Sequence, residues 1–185
     1  TFGLAHTVQF TVTNYASDVF LEIPITKEAV GNTSSQTFNF VVEEGTWSNG
    51  VWNKTKDKNG GRITVKNDEV TEGKIVLDFK STDEGSFYYK ISEDKGTGDF
   101  IYDETFYIVK VDLVDSGNGE KTAQVVQVLK NGKDEVVASL ALPFVNQKVT
   151  YLTVDKTVVN STNPSDVGGS FTFEVTIVDA NEETV

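Results

Sequence analysis

The sequence contains no cysteine and no methionine, three prolines and one histidine. Zero cysteine removes disulfides, thiolate nucleophiles and cysteine metal sites together. With His6 as the single histidine, a Ser–His triad or a histidine-rich metal site lacks its parts, so no metal or other cofactor is expected. Basic charge is scarce as well: 16 Lys and Arg stand against 28 Asp and Glu, a net charge of −12. Nucleic acid is excluded as a partner, because it needs a basic surface to replace its counterions. Anionic membrane surfaces are disfavoured by the same sign. Long apolar runs are missing too. The longest, VVASLALPFV (136–145), is strand-sized and predicts no membrane insertion. No signal peptide or lipidation motif is visible and residue 1 is threonine, so the expectation is a processed form or an excerpt.

What is present is strand after strand. Over 185 residues, 38% are hydrophobic and 11% aromatic, enough to bury a core. TVQFTV (7–12), VFLEIPI (19–25), QTFNFVV (36–42), KIVLDF (74–79), GSFYYKISE (85–93), TFYIVKVDLV (105–114), TAQVVQVLK (122–130) and EVVASLALPF (135–144) alternate or run apolar. They are rich in Val, Ile, Phe and Thr. Turn signals separate them: Ser48-Asn49-Gly50, Asn59-Gly60-Gly61, Ser116-Gly117-Asn118-Gly119 and Asn131-Gly132. Asn131-Gly132 predicts a hairpin, since a type I′ turn wants positive φ at both central residues. KNDEVTEGK (66–74) has room for one helical turn. Short strands, regular turns and no βαβ alternation predict an all-β sandwich.

The two ends share a layout. AHTVQFTVTNYASDVFLEIPITK (5–27) and LALPFVNQKVTYLTVDK (140–156) each run from an alternating strand to an Asn, then into a second strand ending in Lys. Each Lys is followed by a polar stretch and an aromatic pair, in TFNFVV (37–42) and SFTFEVTI (170–177). This is the pattern of an internal repeat. It predicts a complete unit at 19–149, the last strand of a preceding unit at 1–18 and the opening strands of a following unit at 150–185.

Three polar residues end apolar stripes. Side chains two apart share one face of a strand. Phe87, Tyr89 and Ile91 therefore lead to Glu93; Val19, Leu21, Ile23 and Ile25 lead to Lys27; Leu140, Leu142 and Phe144 lead to Asn146. Each could simply mark where its strand leaves the core. The three could also form a buried ion pair bridged by an amide, which is costly to desolvate and adds little stability. A third reading is chemical. A lysine amine beside an asparagine carboxamide can attack it, expel ammonia and leave an amide cross-link. Burial lowers the amine pKa and raises that of a nearby carboxylic acid, so that the acid can shuttle the proton. Such a reaction turns over once and produces a structure rather than an enzyme.

The combination of ITK (25–27) in a first strand, GSFYYKISE (85–93) followed by FIYDETFYIVKVDL (100–113), and PFVN (143–146) in a last strand resembles the isopeptide-linkage domains of Gram-positive, streptococcal-type backbone pilins. The likeness covers most of 19–149, and YLTVDKTV with SFTFEVTI is similar to the opening of another such domain. It implies an immunoglobulin-like β-sandwich with first and last strands side by side and an intramolecular Lys–Asn isopeptide bond. Lys27 is then the amine donor, Asn146 the acceptor and Glu93 the catalytic acid. Asn14 and Lys156 are half-sets belonging to neighbouring units. The implied function is a stalk or backbone module of a pilin or adhesin on the bacterial cell surface, partnered by neighbouring units of the same surface protein. No sortase anchor or polymerisation motif is visible, which favours a segment of a longer surface protein or a stalk piece.

The rival is adhesion. TWSNGVWN (46–53) sets Trp47 and Trp52 across a turn, where they would suit a host glycan or a matrix protein if exposed, or pack on the domain's own core. The acidic residues Glu93, Asp94, Asp99, Asp103 and Glu104 read as a solvated loop and strand end rather than glycosidase carboxylates. DKNGG (57–61) lacks the acidic pattern of a calcium loop and reads as a turn.

Overall fold

Strand-forming, alternating sequence becomes eleven strands among the residues described in the computed structural model, which are 18–117, 120–136, 141–157 and 172–176. The chain divides into two units, 1–150 and 151–185. In the first, the strands are β1 (Val19–Val30), β2 (Ser35–Ser48), β3 (Val51–Lys58), β4 (Arg62–Lys66), β5 (Thr71–Phe79) and β6 (Gly85–Glu93). They continue as β7 (Phe100–Ile101), β8 (Phe106–Gly117), β9 (Glu120–Lys130), β10 (Asp134–Val136) and β11 (Leu142–Lys148). No helix occurs among the described residues. In the second unit, residues 151–157 and 172–176 lie in neither helix nor strand.

Two sheets face each other. One has the order β5-β1-β11-β7; the other runs β10-β9-β8-β6-β2-β3, with β4 also paired to β2. The fold is an all-β sandwich. Its core is the sum of the inward stripes. Ile23, Ile25, Ile75, Leu77, Phe79, Leu142 and Phe144 come from the smaller sheet. Phe38, Phe40, Val42, Tyr89, Ile91, Tyr107, Val109 and Val111 meet them from the larger. Edge-to-face ring contacts, Phe40–Phe144 at 5.0 Å and Tyr107–Phe144 at 5.4 Å, join the sheets around the end of β11.

The pairing of β1 with β11 is parallel, Lys27 standing opposite Phe144 and Ala29 opposite Asn146. A parallel pair needs a long crossover, and here everything from β2 to β10 is that crossover. The first and last of the described strands in this unit are therefore neighbours.

Two expectations are corrected, and a strand that the pattern did not show is added. EVVASLALPF does not form one strand: β10 pairs with β9 in the larger sheet, and β11 pairs with β1 in the smaller. An unbroken apolar run has no period to show where the chain changes sheets. KNDEVTEGK holds a turn rather than a helical one, with Asn67 at φ 56° and β5 already begun at Thr71. Finally, β3 was invisible to pattern reading because nearly all of VWNKTKDK is exposed; its hydrogen bonds to β2, not burial, make it a strand.

The Asn-Gly turns behave as their chemistry dictates. Asn49 and Gly50 have φ of 52° and 76°, and Asn131 and Gly132 have 51° and 68°. Gly132 is doubly constrained, since a Cβ there would overlap the Trp47 indole. Gly132→Ala is expected to cost about 1–3 kcal/mol in chemical denaturation, through both the left-handed φ and displacement of that ring.

Candidate functional site

Lys27, Glu93 and Asn146 are buried together between the sheets. Strand period places each of them. Lys27 follows Ile23 and Ile25 inward on β1, and Asn146 follows Leu142 and Phe144 inward on β11. Because β1 and β11 are parallel and adjacent, these two side chains project from neighbouring strands, offset by two residues. Glu93 ends the inward stripe of β6 in the facing sheet, opposite Phe40 of β2. Ala29 is the Cα partner of Asn146, so the residue beside the carboxamide on β1 has the smallest side chain available.

Glu93 bridges the other two. Its Oε2 accepts a hydrogen bond from Lys27 Nζ at 2.9 Å, and its Oε1 accepts one from Asn146 Nδ2 at 2.7 Å. The Lys27 and Glu93 side chains are fully shielded from solvent. Nζ lies 4.7 Å from the centre of the Phe38 ring, while Phe40, Tyr107 and Phe144 close the surroundings of β11. Burial pushes the Lys27 amine below its ordinary value, against the opposing pull of Glu93. Burial likewise pushes the Glu93 carboxyl above its ordinary value, against Lys27 and Asn146. Both shifts favour the neutral partners. The Tyr107 hydroxyl, which donates to the Pro143 carbonyl at 3.0 Å, is pushed up to about 12 by burial and adds no titrating group near neutrality.

The carboxamide has a further partner that sequence reading missed. The main-chain N–H of Asp103 donates to Asn146 Oδ1 at 2.8 Å. The Asp103 carboxylate accepts the N–H of Thr105 at one oxygen and that of Val145 at the other, each at 2.8 Å. Asp103 is therefore not part of a solvated acidic loop. Asp94, Asp99 and Glu104 are exposed as expected, whereas Asp103 is half-buried and fixed. A signal existed: Asp followed two residues on by Thr, just before a strand, is the pattern of an Asx turn. Burial alone would raise the Asp103 pKa. The hydrogen bonds from Thr105 and Val145 and the Lys27 charge outweigh it and hold the carboxyl below its ordinary value.

Asn14 lies outside the described residues. Lys156 is exposed in the second unit. Trp47 and Trp52 stand opposite each other across the β2–β3 hairpin and are half-buried. Trp47 packs on Gly132, and Trp52 lies over Gly45 with its indole N–H bonded to Glu43 at 2.9 Å. Among the described residues no cluster of His, Asp or Glu is arranged to hold a metal ion.

A buried amine and carboxamide on adjacent strands, bridged by one carboxyl across a β-sandwich, define a candidate cross-linking site. The chain belongs to the FctA family, the Spy0128-like isopeptide-containing domains, whose profile matches residues 23–147. Among solved structures it is similar to the major pilin of Streptococcus pyogenes, at 19% identity over 74% of this chain and 51% of that one, with a TM-score of 0.48. It is also similar to the T-13 major pilin of that species, at 21% identity over 72% and 54% of the two chains, with a TM-score of 0.44. The chain thus spans about half the length of these pilins. Comparison with curated proteins returns no match.

Proposed function

We propose that residues 19–149 form a self-cross-linking structural module, a stalk or backbone unit of a Gram-positive surface pilin or adhesin exposed on the cell wall or pilus. One observation carries the reading: Glu93 touches both the Lys27 amine and the Asn146 amide nitrogen, in a site that burial keeps dry. The neutral amine attacks Asn146 Cγ, forming the new C–N bond. The proton leaving Nζ passes to one oxygen of Glu93. The other oxygen delivers a proton to Nδ2, and the bond from Cγ to that nitrogen breaks. The products are a Lys27–Asn146 isopeptide and one ammonia, with Glu93 returned to its starting state. Because Lys27 and Asn146 are consumed, the reaction happens once per chain and the product is mechanical. Neighbouring units of the same surface protein are the partners this role calls for.

Membership of the isopeptide-containing family supports this reading. The adhesive alternative draws no comparable support, since Trp47 and Trp52 are already engaged by Gly132, Gly45 and Glu43. The test is the intact mass of the purified chain, followed by digestion. A deficit of one ammonia and a branched peptide joining the Lys27 and Asn146 segments are expected. Folded protein at the full sequence mass would sink the proposal.

A further inference from the structure

Glu93 accounts for the protons of the proposed cross-linking but not for the oxygen. When Nζ bonds to Asn146 Cγ, the carbonyl electrons move onto Oδ1, which becomes negatively charged until ammonia departs. An unsupported oxyanion in a buried, largely apolar site is expensive. Glu93 lies at the nitrogen end of the carboxamide and is no donor to this oxygen in the structure. The group that faces Oδ1 is the main-chain N–H of Asp103, at 2.8 Å.

That N–H is aimed rather than incidental. Strand β7 pairs with β11 only at Ile101–Gln147 and Phe100–Lys148. Two residues beyond Ile101 the ladder gives way to a reciprocal pair of bonds. Asp103 N–H reaches the Asn146 side chain, and the Asp103 carboxylate receives the N–H of Val145, the residue next to it. The second carboxylate oxygen takes the Thr105 N–H and closes the local turn. Three bonds of 2.8 Å thus fix residue 103 against the reacting end of β11. Asn146 itself is fully buried, so the oxygen that receives the Asp103 N–H is shielded from bulk water.

We propose that Asp103 supplies the oxyanion site of the cross-linking reaction, its main-chain N–H stabilising the charge on Asn146 Oδ1 while its carboxylate positions that N–H against β11. The step is balanced as before. The lone pair of Nζ forms the bond to Cγ, and Oδ1 gains the electron pair under the Asp103 N–H. Collapse of that pair back to the carbonyl expels Nδ2 as ammonia once Glu93 has protonated it. The main-chain N–H is the catalytic group, because it touches a reacting atom; the carboxylate is a positioning group. The inference rests on the proposed Lys27–Asn146 reaction.

The experiment follows cross-linking in time. Full-length chain recovered unfolded and unreacted from inclusion bodies is refolded by dilution, quenched in acid and weighed for loss of ammonia. Circular dichroism reports folding in parallel. In one variant the N–H of residue 103 is replaced by an ester oxygen, leaving the side chain and all charges in place. Once folded it is expected to cross-link at least about 100-fold more slowly, the scale for removing one oxyanion donor. The pH profile, set by Lys27 and Glu93, is expected to stay where it was. In a second variant, Asp103→Ser, the hydroxyl can still cap Thr105 but is too short to hold Val145. A fall of about 10-fold at that variant's own optimal pH is expected, smaller because the N–H is kept but loosened.

Cross-linking of the folded ester variant at the parent rate would overturn the inference. So would an Asp103→Ser protein whose profile moves along the pH axis with its maximum unchanged, since Asp103 would then act only through its charge on Lys27 and Glu93. Should the ester variant fail to fold, Asp103→Ser decides alone. A parent chain that folds and never loses ammonia would overturn the cross-linking proposal and this inference with it, whereas equal rates in parent and variants overturn the inference only.

Discussion

Glu93→Gln is expected to leave the chain at its full sequence mass and to lower its stability by about 5 kcal/mol. The substitution keeps the shape of the side chain and its capacity to hydrogen-bond, but removes the carboxyl that touches both Nζ and Nδ2 and is proposed to exchange their protons. The amine and the carboxamide then stay separate. Lys27 and Asn146 lie 119 positions apart, and a cross-link closing so long a loop restricts the unfolded chain, by the entropy model used for disulfides, by about 5 kcal/mol. For a unit of this size that corresponds to a fall in melting temperature of roughly 10–20 °C. The variant also acquires a pH dependence. Uncross-linked Lys27 is already pushed below its ordinary value by burial, and loss of Glu93 removes the charge that opposed the shift. The unfolded chain therefore binds more protons than the folded one between the depressed value and the ordinary lysine range. In that window stability rises with pH, and below it the variant is weakest. A parent cross-linked as proposed, with its Lys27 nitrogen in an amide, is expected to show no such rise. Mass spectrometry and denaturation across pH check both parts. An ammonia-deficient Glu93→Gln protein would rule out Glu93 as the proton carrier.

The centre of this site was legible because strands have a period of two. Lys27 and Glu93 each sit in phase with three or more large apolar side chains and Asn146 with Leu142 and Phe144, and the structure buries all three polar residues. Periodicity, however, shows only which face a residue takes. That β1 and β11 are neighbours is a property of topology, and in the sequence it followed from family resemblance alone. Asp103 was missed for a different reason. Its essential group is a main-chain N–H, which every residue but proline possesses, and its carboxylate looked like one more charge in the acidic stretch 94–104. An Asx-turn pattern could have marked it as a fixed turn residue, but only the position of β11 beside residue 103 ties it to Asn146. The same limit explains β3 and the split of 135–144, since pairing partners and sheet changes leave no trace in a local hydrophobic pattern.

The largest mechanical effect is expected when the first unit is pulled from its ends. Strands β1 and β11 are parallel, so tension applied at Val19 and at Lys148 pulls them in opposite directions along their shared edge. Without a bond, that edge is held by main-chain hydrogen bonds and by the packing of Ile25, Leu142 and Phe144. Once it shears, the residues between Lys27 and Asn146 are free to unravel. With the bond, the path runs from Val19 to Lys27, across the side chains to Asn146, and out at Lys148. The 118 intervening residues lie off the path and never feel the load. In single-molecule stretching of linked copies, Glu93→Gln is therefore expected to show steps of about 400 Å of released chain per unit, at about 3.4–3.6 Å for each extended residue. The parent is expected to show no such step before its attachments fail. Parent units that release about 400 Å each would mean that the bond is absent or lies off the load path, and a stalk built on Lys27 and Asn146 would have no mechanical basis.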